Sequence, residues 1–216
     1  MPIVAMGGYP DDLLLDYVLG LGSGRRLLFL ATAVMENPAA TLTWYERVRG
    51  RAEMRHLRFD PWPPPDLPAV VLEHDVLIVS GGNTANMLAI WRTHGFEVVL
   101  REAWERGIVL AGWSAGAICW FEAGVTDSFG PQLEAMDCLG FLPGSACPHY
   151  DGEELRRPRY AELLGEGFPP GIAIDDDVGV RFDGTELSEV VTSRAGATAY
   201  RVSADGEEPL DARLLP

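Results

Sequence analysis

A serine stands between two glycines in the run Gly112-Trp113-Ser114-Ala115-Gly116. The apolar residues 108–111 precede it as a short strand, and residues 117–121, of helix-forming character, follow it. Small residues two before and two after a serine, on a strand-to-helix turn, make a nucleophile elbow. The glycines admit a turn that a Cβ would obstruct. Such a turn lifts the hydroxyl above the sheet edge and leaves the first helical amides free to meet an anion. An exposed hydroxyl beside oxyanion donors is what acyl transfer requires. The plainer reading is a Gly-rich turn that happens to hold a serine, and the flanking strand and helix favour the elbow.

A second glycine turn, Gly81-Gly82-Asn83-Thr84, follows the apolar run 75–79. Its glycines bare backbone N–H groups, and Asn83 or Thr84 can cap the next helix. If its strand neighbours the elbow strand, the amides of Gly82 and Ala115 converge on one oxygen and form an oxyanion hole. Taken alone, the turn is a helix cap.

A serine nucleophile also needs a base and an orienting carboxylate. Among four histidines, His56 falls in an edge strand, His74 precedes a strand away from the active edge, and His94 sits at a helix end. His149, in Cys147-Pro148-His149-Tyr150-Asp151, follows a strand and a glycine-rich stretch and is the candidate base. The downstream acids are Glu122, Asp127, Glu134, Asp137 and the run Asp175-Asp176-Asp177. Glu122 lies about two helical turns, or roughly 12 Å, beyond Ser114, too far for a relay. Asp127 sits in a loop that can swing back toward the histidine. The run 175–177 reads as a solvated turn between strands.

These residues need a scaffold, and the chain alternates strands and helices. Strands are expected at 3–6, 26–31, 54–59 and 75–79, and helices at 11–19, 39–49, 85–91 and 97–106, with a proline-rich turn at 61–68. Repeated βαβ units imply a mainly parallel sheet with helices on both faces. Residues 124–148 read as functional loops. Residues 172–174, 178–182, 189–192 and 198–202 read as a closing C-terminal β meander. Ligands of such sheets bind beyond the carboxyl ends of the strands, where both glycine turns lie.

A chain of 216 residues, 47% hydrophobic, supports one domain spanning 1–216. Its net charge of −15 argues against nucleic acid and anionic membrane as partners. Cys119, Cys138 and Cys147 form neither a disulfide framework nor a zinc motif, and reduced thiols fit a cytoplasmic protein. No cluster has metal-ligand spacing, so neither metal nor organic cofactor is expected. No leader or apolar run of about 20 residues is expected to meet a membrane. Trp44 and Trp62, read as exposed, offer a surface for a homodimer.

The turn Gly81 to Thr84, the run Gly112 to Ala117 and the tripeptide Pro148-His149-Tyr150 occur in an order and spacing that resemble the peptidase E (aspartyl dipeptidase) family of serine peptidases. Relatives of that family include the cyanophycinases. The similarity spans most of the chain. It implies a three-layer α/β/α, flavodoxin-like domain akin to class I glutamine amidotransferases, with serine in place of cysteine. It also implies Ser114 as nucleophile, His149 as base, Asp127 as acid, and Gly82 and Ala115 as the oxyanion amides. Among Arg156, Arg157 and Arg159, Arg156 aligns best with an arginine that binds the side chain of an N-terminal aspartate, a bidentate pairing. The alternative is a charged helix start balancing Glu153 and Glu154. Residues 120–122 and 130–138 depart from the family pattern, which makes Glu134 a reserve acid.

The implied activity is hydrolysis of short peptides, foremost dipeptides with N-terminal aspartate, through an acyl-enzyme. The partner is then a small peptide substrate. Three alternatives stand beside it: an α/β-hydrolase esterase, a cyanophycinase-like enzyme cutting β-linked Asp–Arg units, and a catalytically silent binding homologue.

Overall fold

Short aliphatic runs build the centre of the fold, and capped amphipathic helices cover it. The computed structural model describes residues 1–216. The chain begins with β1 (Pro2–Met6), α1 (Asp12–Gly20), β2 (Arg26–Leu30), α2 (Pro38–Arg47), β3 (Glu53–Leu57) and α3 (Leu67–Leu72). It continues through β4 (Val76–Val79), α4 (Thr84–Thr93), α5 (Phe96–Glu105) and β5 (Val109–Trp113). The four-residue α6 (Ala115–Ile118) leads to β6 (Phe121–Thr126), β7 (Glu134–Asp137), β8 (Leu142–Cys147), α7 (Arg156–Gly165) and β9 (Gly171–Ile174). The strands β10 (Val178–Asp183), β11 (Glu186–Thr192), β12 (Ala199–Ser203), β13 (Gly206–Pro209) and β14 (Ala212–Leu214) complete it.

The first sheet runs β14-β11-β10-β1-β5-β4-β2-β3. The five strands from β1 to β3 in that order are mutually parallel, and β10 pairs antiparallel with β1. Every residue of β4 and β5 is buried, as expected of central parallel strands covered on both faces. Side-chain caps start the helices that follow strands: Asp11 accepts from the Leu14 N–H at 2.9 Å, and Asn83 from the Asn86 N–H at 2.9 Å. Asn83 is therefore a helix cap as well as part of the glycine turn.

One face of the sheet packs Val4, Phe29, Ile78 and Ala111 against Leu14, Leu15 and Val18 of α1 and Trp44 of α2. The other packs Ile3, Leu28, Leu77 and Leu110 against Val71, Met87, Leu88, Trp91, Phe96 and Leu100. The expected three-layer α/β/α order is the order observed. Trp44 is only 2% exposed and belongs to this core, not to a surface for association, because its ring stacks 4.8 Å from Phe29. Trp62 is 75% exposed.

The C-terminal half differs from the sequence expectation. Residues 124–148 are not all loop: β6, β7 and β8 belong to a second sheet, ordered β13-β12-β9-β8-β6-β7. Gly124, Pro143 and Gly144 interrupt the apolar pattern there, so local composition hides the strands. The last strands are shared between sheets, β10 and β11 joining the first and β9 and β12 the second, in place of one meander. The helix after Ser114 lasts only four residues before β6 begins. No helix is long and apolar enough to cross a membrane.

Candidate active site

Ser114 leaves β5 in a backbone conformation, φ 52° and ψ −114°, that few non-glycine residues adopt. The turn is held from both sides. The Ser114 N–H donates to the Met6 carbonyl at 3.1 Å, and the Ser114 carbonyl accepts from Ala117 and Ile118. A Cβ on Gly112 would lie 2.3 Å from the Gly116 carbonyl oxygen, and one on Gly116 would lie 2.3 Å from that of Val79. Both glycines are thus required by backbone crowding. The Gly-x-Ser-x-Gly spacing has a steric cause.

β4 and β5 are neighbours, with Val79 opposite Gly112, so the two glycine turns leave the sheet side by side. The Gly82 N–H has no protein acceptor. Ala115 opens α6, where no preceding helical carbonyl takes its N–H. Gly81, Gly82, Ser114 and His149 line one cleft of about 360 Å³ with Tyr9, Phe29, Trp44 and Trp113 among its walls. A larger groove of about 760 Å³, bordered by Phe182, Arg201 and Glu207, holds neither Ser114 nor His149. Chemistry, not size, selects the cleft.

His149 follows β8 with φ 53°, and its Nδ1 lies 2.7 Å from Asp176 Oδ1. A carboxylate only accepts, so the Nδ1 carries the hydrogen and Nε2 is left for Ser114. Ser114 Oγ and His149 share the cleft without bonding each other; such contacts tighten when substrate binds. Asp176 sits in the turn between β9 and β10, where the chain crosses from one sheet to the other. Its approach needs room: a Cβ on Gly8 would lie 2.2 Å from Asp176 Oδ1, and one on Gly152 would lie 2.1 Å from Oδ2.

The acid loop is clamped. Asp176 N–H donates to Asp151 Oδ1 at 2.8 Å, and Arg194 reaches the Asp176 carbonyl at 3.1 Å and Asp177 Oδ2 at 2.9 Å. Arg194 also pairs with Asp151. Burial pushes the Asp151 carboxyl up, but Arg194 and the Asp176 amide together hold it below its ordinary value. Burial pushes the neighbouring Asp175 up, and its Oδ2 accepts from the Thr198 N–H at 3.1 Å.

The model of peptidase family S51 matches residues 9–190. The chain belongs to peptidase family S51. It is 46% identical over 210 residues to the uncharacterized peptidase YgaJ of Bacillus subtilis (strain 168), covering 93% of this chain and 91% of that one. Peptidase E of Citrobacter koseri is 32% identical over 105 residues, covering 44% of this chain and 46% of that one. A peptidase from an acI-B1 Actinobacterium superposes with a TM-score of 0.71 at 16% identity, over 98% of this chain and 94% of that one. A putative peptidase E protein from Listeria monocytogenes EGD-e does so with 0.65 at 17% identity, over 94% and 98%. These two structures share the fold. The expected resemblance to peptidase E and the expected serine-type peptidase class are borne out.

Not every expected site residue of this S51 peptidase reaches the cleft. Asp127 does not meet His149. Its carboxylate is exposed and makes no hydrogen bond, because Ser128 ties the loop to the start of α4, accepting from the Thr84 and Ala85 amides. Glu134 is exposed at the start of β7, and Glu122 accepts from the Gly144 N–H at 2.8 Å. The carboxylate on His149 is Asp176, from the run read as a solvated turn. The available signal was three acidic residues between two apolar strands, downstream of the histidine.

Arg156 is not in the cleft either. It is 3% exposed, donating from Nε to Glu153 at 2.8 Å and from Nη1 to the Val125 carbonyl at 3.0 Å. Arg157 pairs with Glu207 and stacks over Tyr150, and Arg159 binds the Leu133 carbonyl and Glu162. All three guanidiniums serve the S51 scaffold. Arg156→Met should therefore lower the free energy of unfolding by about 1–3 kcal/mol, the cost of leaving a buried acceptor unpaired. Urea denaturation measures this. A selective loss of aspartyl-dipeptide hydrolysis at unchanged stability would contradict the scaffold role. The remaining histidines are structural: His74 Nδ1 bonds the Val70 carbonyl at 2.7 Å, His56 Nδ1 the Tyr45 hydroxyl at 2.9 Å, and His94 ends α4.

Proposed function

We propose that this S51 peptidase hydrolyses short peptides through Ser114, His149 and Asp176 by way of an acyl-enzyme. The observation that carries the reading is the 2.7 Å contact of His149 with Asp176 in the cleft that also holds the elbow serine. His149 Nε2 takes the Ser114 proton as the oxygen bonds to the scissile carbonyl carbon. The Gly82 and Ala115 amides stabilise the oxyanion. The protonated histidine gives its proton to the leaving amine as the C–N bond breaks. Water, deprotonated by the same nitrogen, then attacks the ester, and the proton returns to Ser114 as the acid product leaves. Asp176 holds the ring in the Nδ1–H tautomer throughout and stabilises the imidazolium.

A cleft of about 360 Å³ suits a substrate of dipeptide size. The N-terminal aspartate preference implied by the resemblance loses its support, because Arg156 is buried on other partners. The test pairs labelling by a fluorophosphonate with release of free amino acids from dipeptides. The expected result is one label per chain, at Ser114, with dipeptide hydrolysis lost in proportion to labelling. Absence of label on the folded protein would overturn the reading in favour of a silent homologue. Labelling with turnover of esters or β-linked Asp–Arg units, but of no dipeptide, would reassign the substrate.

A further inference from the structure

The two amides that meet the oxyanion sit on different segments, Gly82 on the turn after β4 and Ala115 on the turn after β5. Their separation must be fixed if both are to reach one oxygen. One tie is the close approach of Gly116 to the Val79 carbonyl. A second runs through β6. That strand packs so closely on α6 that a Cβ on Gly124 would lie 2.8 Å from the Cβ of Ile118. Just beyond the end of β6, Ser128 crosses to the segment that carries Gly82.

Every polar group of Ser128 takes part in the crossing. Its carbonyl accepts from Asn83 Nδ2 at 2.9 Å, and its Oγ accepts from the Thr84 N–H at 2.9 Å and the Ala85 N–H at 3.2 Å. The hydroxyl hydrogen is then left for Thr126 Oγ1 at 2.7 Å, which also accepts from the Ser128 N–H at 3.2 Å. Thr126 and Thr84 are buried, so the network is fully paired in a low-dielectric setting, where such bonds hold geometry firmly. From the other side, the Ala33 carbonyl, in the single turn Thr32–Val34, accepts from the Asn83 N–H at 2.8 Å. A Cβ on Gly82 would lie 2.3 Å from that same oxygen. The oxyanion turn is therefore gripped between Ala33 and Ser128. Starting the helix does not by itself call for Ser128, because Asn83 already caps α4 by accepting from Asn86.

We propose that Ser128 is a positioning residue for the reaction: by tying the start of α4 to the strand that follows the nucleophile helix, it sets where the Gly82 N–H points relative to that of Ala115. The proposal rests on the peptidase reading above. Ser128 touches no reacting atom, and its effect passes through the backbone of residues 82–85. Its neighbour Asp127 carries no part of this role, since the bonds come from the hydroxyl and main chain of Ser128.

The test follows the second-order rate of Ser114 phosphonylation by a fluorophosphonate, whose transition state places a negative oxygen between the same two amides. Ser128→Ala should label at least about tenfold more slowly than the wild type, because a small displacement of a preorganised donor forfeits much of its effect. Ser128→Thr keeps the hydroxyl and should label within about threefold of the wild type, threonine being a serviceable cap. The pH of half-maximal labelling reads His149 and should stay fixed in both variants. A loss of folded protein alone would not leave that midpoint in place while slowing the reaction of the folded fraction. Labelling of Ser128→Ala at the wild-type rate, slowing with a shifted midpoint, or equal slowing in Ser128→Thr would each overturn the proposal. Should Ser128→Ala fail to fold, Thr126→Val takes its place, since it removes the acceptor that aims the Ser128 hydroxyl. Slower labelling is expected there too, and the wild-type rate would overturn the proposal. No labelling of the folded wild type would sink the peptidase reading and this proposal with it. Equal labelling of wild type and Ser128→Ala would sink the positioning role alone.

Discussion

Ser114→Ala is expected to leave the protein folded and to reduce kcat by on the order of 10⁶, with dipeptide binding nearly unchanged. The methyl group cannot bond to the carbonyl carbon, so the acyl-enzyme route is removed and only the oxyanion amides and substrate positioning remain. Residual catalysis of about 10³-fold over water is the usual remnant of those two effects. Substrate affinity should persist because the cleft walls are intact. Steady-state kinetics beside fluorescence titration separates these outcomes, and a loss below about tenfold would remove Ser114 from the chemistry. A companion variant reads the backbone. Ser114 holds φ at 52°, where a Cβ is strained by about 1–3 kcal/mol, so Ser114→Gly should be at least as stable as Ser114→Ala despite the flexibility glycine adds to the unfolded chain.

Asp176→Asn is expected to lower kcat by about 10⁴, the loss seen where an orienting aspartate in a serine triad becomes an amide. An amide can offer an N–H to His149 Nδ1, which drives the imidazole proton to Nε2, the nitrogen that must accept from Ser114. The base is then present and in place but in the wrong tautomer. Asp127→Asn should change kcat less than about twofold, because the Asp127 carboxylate is exposed and bonds nothing. The pair of variants decides between the two carboxylates. A large loss in Asp127→Asn together with a small one in Asp176→Asn would return the role to the loop after β6. Both variants should keep wild-type thermal stability closely enough for the comparison to hold, since neither side chain is part of the apolar core.

The contrast between these two aspartates shows how much of the site was legible in the sequence. The elbow was legible because its glycines answer to crowding within a few residues: Gly112 against Gly116, and Gly116 against the adjacent strand. The parallel strands and their helices were legible for the same reason, apolar runs and caps being local. His149 could be singled out by position after a strand. Asp176 could not, because what brings it to the histidine is the antiparallel pairing of β10 with β1, Gly179 opposite Met6, and the gap left by Gly8. No local pattern encodes a contact between the first strand and the tenth. Arg156 misled for the opposite reason: a cation near a catalytic histidine suggests a ligand, and only the packing of α7 against β6 reveals that the Val125 carbonyl takes it.

The crossing of β10 into the centre of the first sheet also orders events in time. A ribosome releases the nucleophile and its oxyanion turns, complete by residue 115, well before the acid, the strand that seats it and Arg194. On this assignment the nascent chain carries a serine that cannot yet be activated. Antiparallel insertion of β10 beside β1 is a contact of long sequence separation and is slow to form. On this assignment, activation of Ser114 waits for β10 to insert beside β1 and bring Asp176 to His149.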